Sequence, residues 1–167
     1  VDVGLLEQQA RDLNCGFFKH HEYGVPWVTI KTAASLDGRT AMASGQSQWI
    51  TAPPARRDVQ RMRAENCAII TGIGTQKMDD PSLTLRMSYV ELGLSVNEVD
   101  SGLRQPLRVV VDSQCQMSSS ARLLQQDGAT LVATTDGALQ RQRAAVLESA
   151  GAEVIFLPAR ERRVDLQ

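Results

Sequence analysis

The sequence predicts an α/β domain built on a mostly parallel sheet, and three observations carry that prediction. Residues 67–71, Cys-Ala-Ile-Ile-Thr, form a short apolar run of the kind found in a buried strand. Residues 107–111, Leu-Arg-Val-Val-Val, form a second, rich in β-branched side chains. Residues 129–134, 139–150 and 153–157 then read strand, helix, strand, an order that implies a parallel crossover unit.

Taken in order, the chain opens on residues 5–18, where Leu5, Leu6, Ala10, Leu13, Phe17 and Phe18 recur at helical spacing and predict one amphipathic helix. His20-His21 follows, and the chain offers no further ligands at spacing suited to a metal. The pair suits solvent or the negative end of a helix dipole. Residues 28–36 alternate: Val28, Ile30 and Leu36 point one way, Thr29, Lys31, Ala33, Ser35 and Asp37 the other, which predicts a strand. Asp37-Gly38 before Thr40–Ala43 is a hairpin or tight-turn signal. Lys31, Ser35 and Asp37 could line a site; on pattern alone they also suit the wet face of an antiparallel strand, with Asp37 serving the turn.

Thr51-Ala52-Pro53-Pro54 marks a helix start with Thr51 as N-cap, and the helix should run to about Asn66. Ala55, Val59 and Met62 make its apolar stripe, Arg63 lies at the stripe's edge, and Arg56, Arg57 and Arg61 read as solvated surface. The strand at 67–71 runs into Gly72-Ile73-Gly74-Thr75. Such a turn can present backbone N–H groups to a phosphate, but the final glycine and the downstream acidic residue of a dinucleotide fingerprint find no convincing place, and the alternative is an ordinary strand-to-helix turn. Asp79-Asp80-Pro81 is a turn signal. Residues 88–105 read as a variable surface loop. Asp112-Ser113 closes the 107–111 strand at the end where ligands gather in open α/β sheets, Gly151 ends the 139–150 helix, and the last residues, 159–167, are highly charged.

The chain has 167 residues, 43% of them hydrophobic, and a formal net charge of −1. That suits one globular domain without a global basic field for nucleic acid or an anionic membrane, so any anion must be held by local arginines. No run approaches the length needed to span a bilayer and no signal-peptide profile appears, which predicts a cytoplasmic protein. Cys15, Cys67 and Cys115 are too widely spaced for a zinc ribbon or a disulfide framework, and are expected to be reduced and mostly packed.

Two blocks in order carry a resemblance. Lys31-x-x-x-Ser35-x-Asp37-Gly38 with Gly45-x-Ser47-x-Trp49-Ile50-Thr51, and then Thr75-x-x-x-Asp79-Asp80-Pro81-x-Leu83-Thr84-x-Arg86, resemble the reductase domain of bacterial bifunctional riboflavin-biosynthesis deaminase–reductases. The resemblance runs nearly the whole length and is densest from Lys31 to Arg86. It implies a dihydrofolate-reductase-like, three-layer α/β/α fold with a mostly parallel central sheet over a single reductase domain, residues 1–167. It also implies NADPH-dependent reduction of the ribosyl group of a phosphorylated aminopyrimidine.

By the same resemblance, Ala33, Trp49, Thr75, Asp79 and Ser113 fall beside the dinucleotide, and Ser47, Arg63, Leu83 and Arg86 beside the substrate. Lys31 is expected nearest the reacting carbon, with Asp37 either holding it or shaping the turn. Arginine suits a sugar phosphate because its planar fork binds phosphate in two places. Trp49 can wall one side of a bound ring, or be core. The family's zinc deaminase half and its C-terminal segment, a strand with a substrate-contacting glutamate and a glycine-rich phosphate turn, have no counterpart in the chain, which is expected to be a truncated piece. The resemblance also implies a homodimer. Two other readings remain: a fragment that keeps fold or dimer contacts without catalysis, and a dihydrofolate-reductase-like enzyme of another pterin or pyrimidine.

Overall fold

The computed structural model describes residues 3–93 and 103–166. Part of the loop expected over 88–105 lies outside them. The chain divides into two compact units, Val1–Thr51 and Ala52–Gln167.

The first unit holds two short helices, α1 (Glu7–Leu13) and α2 (Cys15–Tyr23), in place of the single helix expected over 5–18. The break falls at Asn14, whose side-chain amide donates to the carbonyl of Ala10 at 2.9 Å. Asparagine competes in this way with the helix's own backbone bonds. Arg11 ties the two helices together: it pairs with Glu7 at 3.0 Å and Glu22 at 2.7 Å, and stacks 4.6 Å from the centroid of Phe18. Both partners raise its pKa. His20 and His21 sit in the last turn of α2, where cationic character suits the dipole, and Gly24 ends the helix at φ 68°, its N–H donating to His20.

Residues 25–34 form neither helix nor ladder among the described residues, so the predicted strand is absent. The turn predicted after it is present. Ser35 N–H donates to Arg39 O, Gly38 N–H to Ser35 O, and Gly38 takes φ 78°. A second turn closes from Met42 to Gln46 at 2.8 Å.

The second unit opens on α3 (Pro53–Glu65). Its N-cap is Ala52, not Thr51, because the residue before a proline is held extended and Ala52 has φ −70° and ψ 163°. Four strands follow: β1 (Ala68–Gly72), β2 (Leu107–Val111), β3 (Thr130–Thr135) and β4 (Glu153–Leu157), all parallel, in the order β1-β2-β3-β4. The expected parallel α/β sheet is therefore present. Helix α4 (Ile73–Asp79) follows β1 directly, and α5 (Ala138–Ser149) makes the β3-to-β4 crossover.

One face of the sheet is covered. Val110 and Val132 pack there with Cys115, Met117, Ala121, Leu123, Ala144 and Leu147, and Ile73, Val154 and Phe156 border them. The opposite face, with Val109, Val111, Leu131 and Ile155, is half-buried, and Ile70 on it is exposed. Of the three free cysteines only Cys115 is buried; Cys67 is exposed and Cys15 intermediate, so the expectation that they are mostly packed holds for one.

Two features had no sequence signal. Arg108 is 1% exposed beside the core, and its Nη2 donates to the carbonyls of Gln126 and Gly128, anchoring the loop before β3. Gly128 has φ 104°, and a Cβ there would meet Cβ of Gln105 at 2.9 Å, so the loop requires glycine. The charged stretch 159–167 contains a hairpin, β5 (Ala159–Arg160) with β6 (Arg163–Val164).

Candidate functional site

A parallel ladder sends the carboxyl ends of its strands to one edge. Gly72 pairs with Val111, and Thr135 with Leu157, so the ends of all four strands meet there. Open α/β sheets bind ligands at this edge. Helix α4 starts there, and Thr75 and Asp79, four residues apart, share one exposed helical face. Gly72 and Gly74 have open space where a Cβ would stand and no positive φ, which fits the ordinary strand-to-helix turn.

Asp80 does different work from its neighbour. Its Oδ1 accepts from Gln76 Nε2 at 3.2 Å and from the backbone N–H of Arg122 at 3.0 Å, and Gln76 is buried. Lys77 Nζ donates to Gln116, tying α4 to the loop after β2. Asp79 is thus left facing solvent while Asp80 fixes the helix end.

Ser113 follows β2 and is held from both sides. Its carbonyl accepts from the Thr135 hydroxyl at 2.8 Å, and its Oγ accepts from the N–H of Val164 at 2.9 Å. Asp112, 1% exposed, shapes the same turn: its Oδ2 accepts the backbone N–H groups of Gln116 and Met117, the latter at 2.8 Å. Sequence reading took Asp112 as a strand end. The role of the carboxylate as a turn organiser was not visible, since its partners are unremarkable backbone amides.

The segment carrying Leu83 and Arg86 is clamped by three side chains. Arg63 Nη1 donates to Thr84 O at 2.7 Å, Gln60 Oε1 accepts from Arg86 N at 2.9 Å, and Gln105 both accepts from Leu85 N at 2.8 Å and donates to Leu85 O at 3.2 Å. Leu83, Thr84 and Leu85 are buried, and Leu83 has φ 51°. A left-handed leucine costs roughly 1–2 kcal/mol, and such conformations persist where the surroundings over-determine them. Gln60 and Gln105 are positioning residues that sequence reading missed. Glutamines carry no pattern that announces a backbone clamp.

The clamp brings Arg63 and Arg86 together. Burial lowers the pKa of Arg63, and the nearby charge of Arg86 lowers it further. Neither makes an ion pair among the described residues. Two guanidinium groups of like charge without a carboxylate between them form an anion-seeking pair.

The remaining sequence-predicted residues lie in the first unit. Asp37 accepts from the Ser35 hydroxyl and stands 3.7 Å from Arg39, so its carboxylate serves the turn. Lys31 is exposed, with no hydrogen bond or ion pair among the described residues; Ala33 and Ser47 are half-buried, and Trp49 is exposed. A cavity of about 390 Å³ in the second unit is lined by Cys115, Met117, Arg143 and Leu147 among others, and by none of the cofactor, substrate or catalytic residues expected from sequence.

The four-stranded sheet and its helices define an open parallel α/β domain. Residues 26–167 match the RibD C-terminal domain, and the chain belongs to that family. It is 48% identical over 135 residues to the riboflavin biosynthesis protein RibD of Escherichia coli, covering 81% of this chain and 37% of that protein. It is 47% identical over 121 residues to RibD of Haemophilus influenzae, covering 72% of this chain and 32% of that one. Among solved structures, a form of Acinetobacter baumannii RibD superposes with a TM-score of 0.76 at 35% identity, over 95% of this chain and 40% of that one. A Thermotoga maritima protein described as a diaminohydroxyphosphoribosylaminopyrimidine deaminase/5-amino-6-(5-phosphoribosylamino)uracil reductase superposes with a TM-score of 0.66 at 25% identity, over 95% of this chain and 46% of that one. The chain thus spans about a third of the length of the curated relatives it matches. No helix among the described residues is long and apolar enough to cross a membrane.

Proposed function

We propose that the chain is the reductase portion of a riboflavin-biosynthesis enzyme, a 5-amino-6-(5-phosphoribosylamino)uracil reductase that uses NADPH and yields the ribitylamino product. The observation that carries the reading is the pair Arg63 and Arg86, held together by the 84–86 clamp with no carboxylate paired to either among the described residues. A ribose phosphate is the anion such a pair suits. The name of the Thermotoga relative, which includes this reductase activity, supports the same reading.

Thr75, Asp79 and Ser113 at the carboxyl edge fit a dinucleotide: polar groups on an exposed helix face and a fixed hydroxyl, at the place where open α/β sheets bind nucleotides. The family resemblance assigns Ala33 and Trp49 to the cofactor, and Ser47 and Leu83 to the substrate. NADPH supplies the hydride. Lys31 is the residue assigned to the proton: an ammonium that donates to the ribose ring oxygen as the ring opens makes C1′ electrophilic. Asp37 shapes the turn that follows Lys31. The full enzyme would carry a zinc deaminase domain beside this one.

The test is NADPH oxidation followed by absorbance with the phosphorylated aminopyrimidine and its dephosphorylated analogue. The Arg86 side chain carries no structural bond among the described residues, so Arg86→Gln should raise KM for the phosphorylated substrate about tenfold to a hundredfold, the worth of one charged hydrogen bond. Its stability should stay within about 0.5 kcal/mol of the parent. Arg63→Gln should weaken both, because Arg63 also holds Thr84. If Arg86→Gln leaves discrimination between the two substrates unchanged, the phosphate reading fails. A parent chain that neither binds NADPH nor turns over favours a fragment without catalysis, and one that prefers the unphosphorylated substrate favours another pterin or pyrimidine.

A further inference from the structure

The β5–β6 hairpin places like charges face to face. Arg160 and Arg163 are cross-strand partners, and Arg162 occupies the two-residue turn between them beside Glu161. Like charges directly opposite in a strand pair destabilise it. The turn adds to this: Glu161 has φ 50° and Arg162 φ 64°, a left-handed pair that hairpins usually give to asparagine and glycine. All four residues are exposed, and neither Arg162 nor Arg163 makes an ion pair among the described residues. A hairpin serving only as a connection would gain from a neutral pair and a glycine turn.

Its position supplies a reason. The hairpin is fastened to the carboxyl edge of the sheet through Val164 N–H, which donates to Ser113 Oγ at 2.9 Å, and it closes on itself through Asp165 N–H to Pro158 O at 2.8 Å. Because Ser113 Oγ accepts from Val164, its own hydrogen remains for another acceptor. A serine O–H and an arginine-rich turn on one hairpin anchor make donors for a dianionic phosphate monoester.

We propose that Arg162 and Arg163 bind the phosphate ester that distinguishes NADPH from NADH, with Ser113 donating to the same group, so that the hairpin sets the cofactor preference. The inference rests on the reading above, in which the dinucleotide lies at the carboxyl edge. It concerns the far end of the cofactor, not the reacting ring.

The experiment compares NADPH and NADH binding to the full chain by fluorescence titration, for the parent, for Arg162→Gln/Arg163→Gln and for Arg162→Lys/Arg163→Lys. The glutamine pair should lose NADPH affinity about tenfold or more, NADH affinity should change less than about twofold, and the lysine pair should recover part of the loss. The preference of the parent should also weaken with added salt. Equal loss for both cofactors, or no loss for either, overturns the proposal while leaving the reductase reading in place, as does a parent that binds the two alike. A parent that binds neither overturns both. Circular dichroism of the variants separates a misfolded hairpin from a lost contact, and a second pair, Arg162→Ala/Glu161→Gly, removes the left-handed arginine while relaxing the turn; NADPH preference that survives it counts against Arg162.

Discussion

Asp79 and Asp80 are neighbours of identical chemistry, and the structure gives them opposite work. Asp80 meets Arg122, 42 residues on, and becomes part of the frame, while Asp79 stays on the exposed face with Thr75. A sequence motif names both acids but cannot separate them, since the separating partner is far away in the chain. The cysteines show the same limit. Composition implied reduced thiols, yet which of them is reachable depends on packing: Cys67 is exposed, whereas Cys115 is 2% exposed in the core. Burial raises the Cys115 pKa first, and the adjacent Asp112 charge adds to it. The thiolate is the reactive form, so a raised pKa moves reactivity to higher pH. A thiol reagent at neutral pH should label Cys67 quickly and leave Cys115 untouched until the chain is denatured, as mass spectrometry of the labelled peptides will report. Because the folded pKa exceeds the unfolded one, the stability that Cys115 contributes is present below its unfolded pKa and is lost as pH rises through the folded value. Rapid native labelling of Cys115 would contradict the packing.

At the level of elements, regular structure was legible where local pattern and tertiary demand agree. The strands at 107–111 and 153–157 and the helix ended by Gly151 follow the sequence closely. Boundaries set by one side chain did not: Asn14 splits a periodic helix, and the proline rule moves the α3 cap to Ala52. The turns that carry candidate site residues are held by polar side chains with no periodicity at all. Asp112 is the clearest case, a buried carboxylate that satisfies two backbone N–H groups and so keeps the turn after Ser113 in shape. Removing it leaves both donors without a partner. Asp112→Ala should therefore cost about 2–4 kcal/mol. Asp112→Asn, whose amide oxygen can still accept, should cost less than half of that. Urea unfolding of both variants measures the difference. Equal losses would mean that the charge itself, rather than the acceptor geometry, organises the turn.

For the molecule as a whole, fold class was legible because a parallel sheet leaves its mark in the order of apolar runs, and the four strands appear in that order. The same four strands run one way across the sheet, with no reversal among the described residues. Residues 28–36 mark the opposite outcome: strong alternation, but no strand. Alternation describes a strand that has a partner, and here Val28, Ile30 and Leu36 are 67%, 83% and 108% exposed, so nothing offsets their contact with water. Backbone amides without ladder partners exchange their hydrogens freely, while those of a central strand wait for larger openings. Hydrogen exchange read by mass spectrometry should therefore find residues 25–34 exchanging within the shortest labelling time, and β2 and β3 protected the longest. Slow exchange in 25–34 would show that Lys31 and Ala33 stand on a paired strand in solution, the arrangement that the alternating pattern predicts.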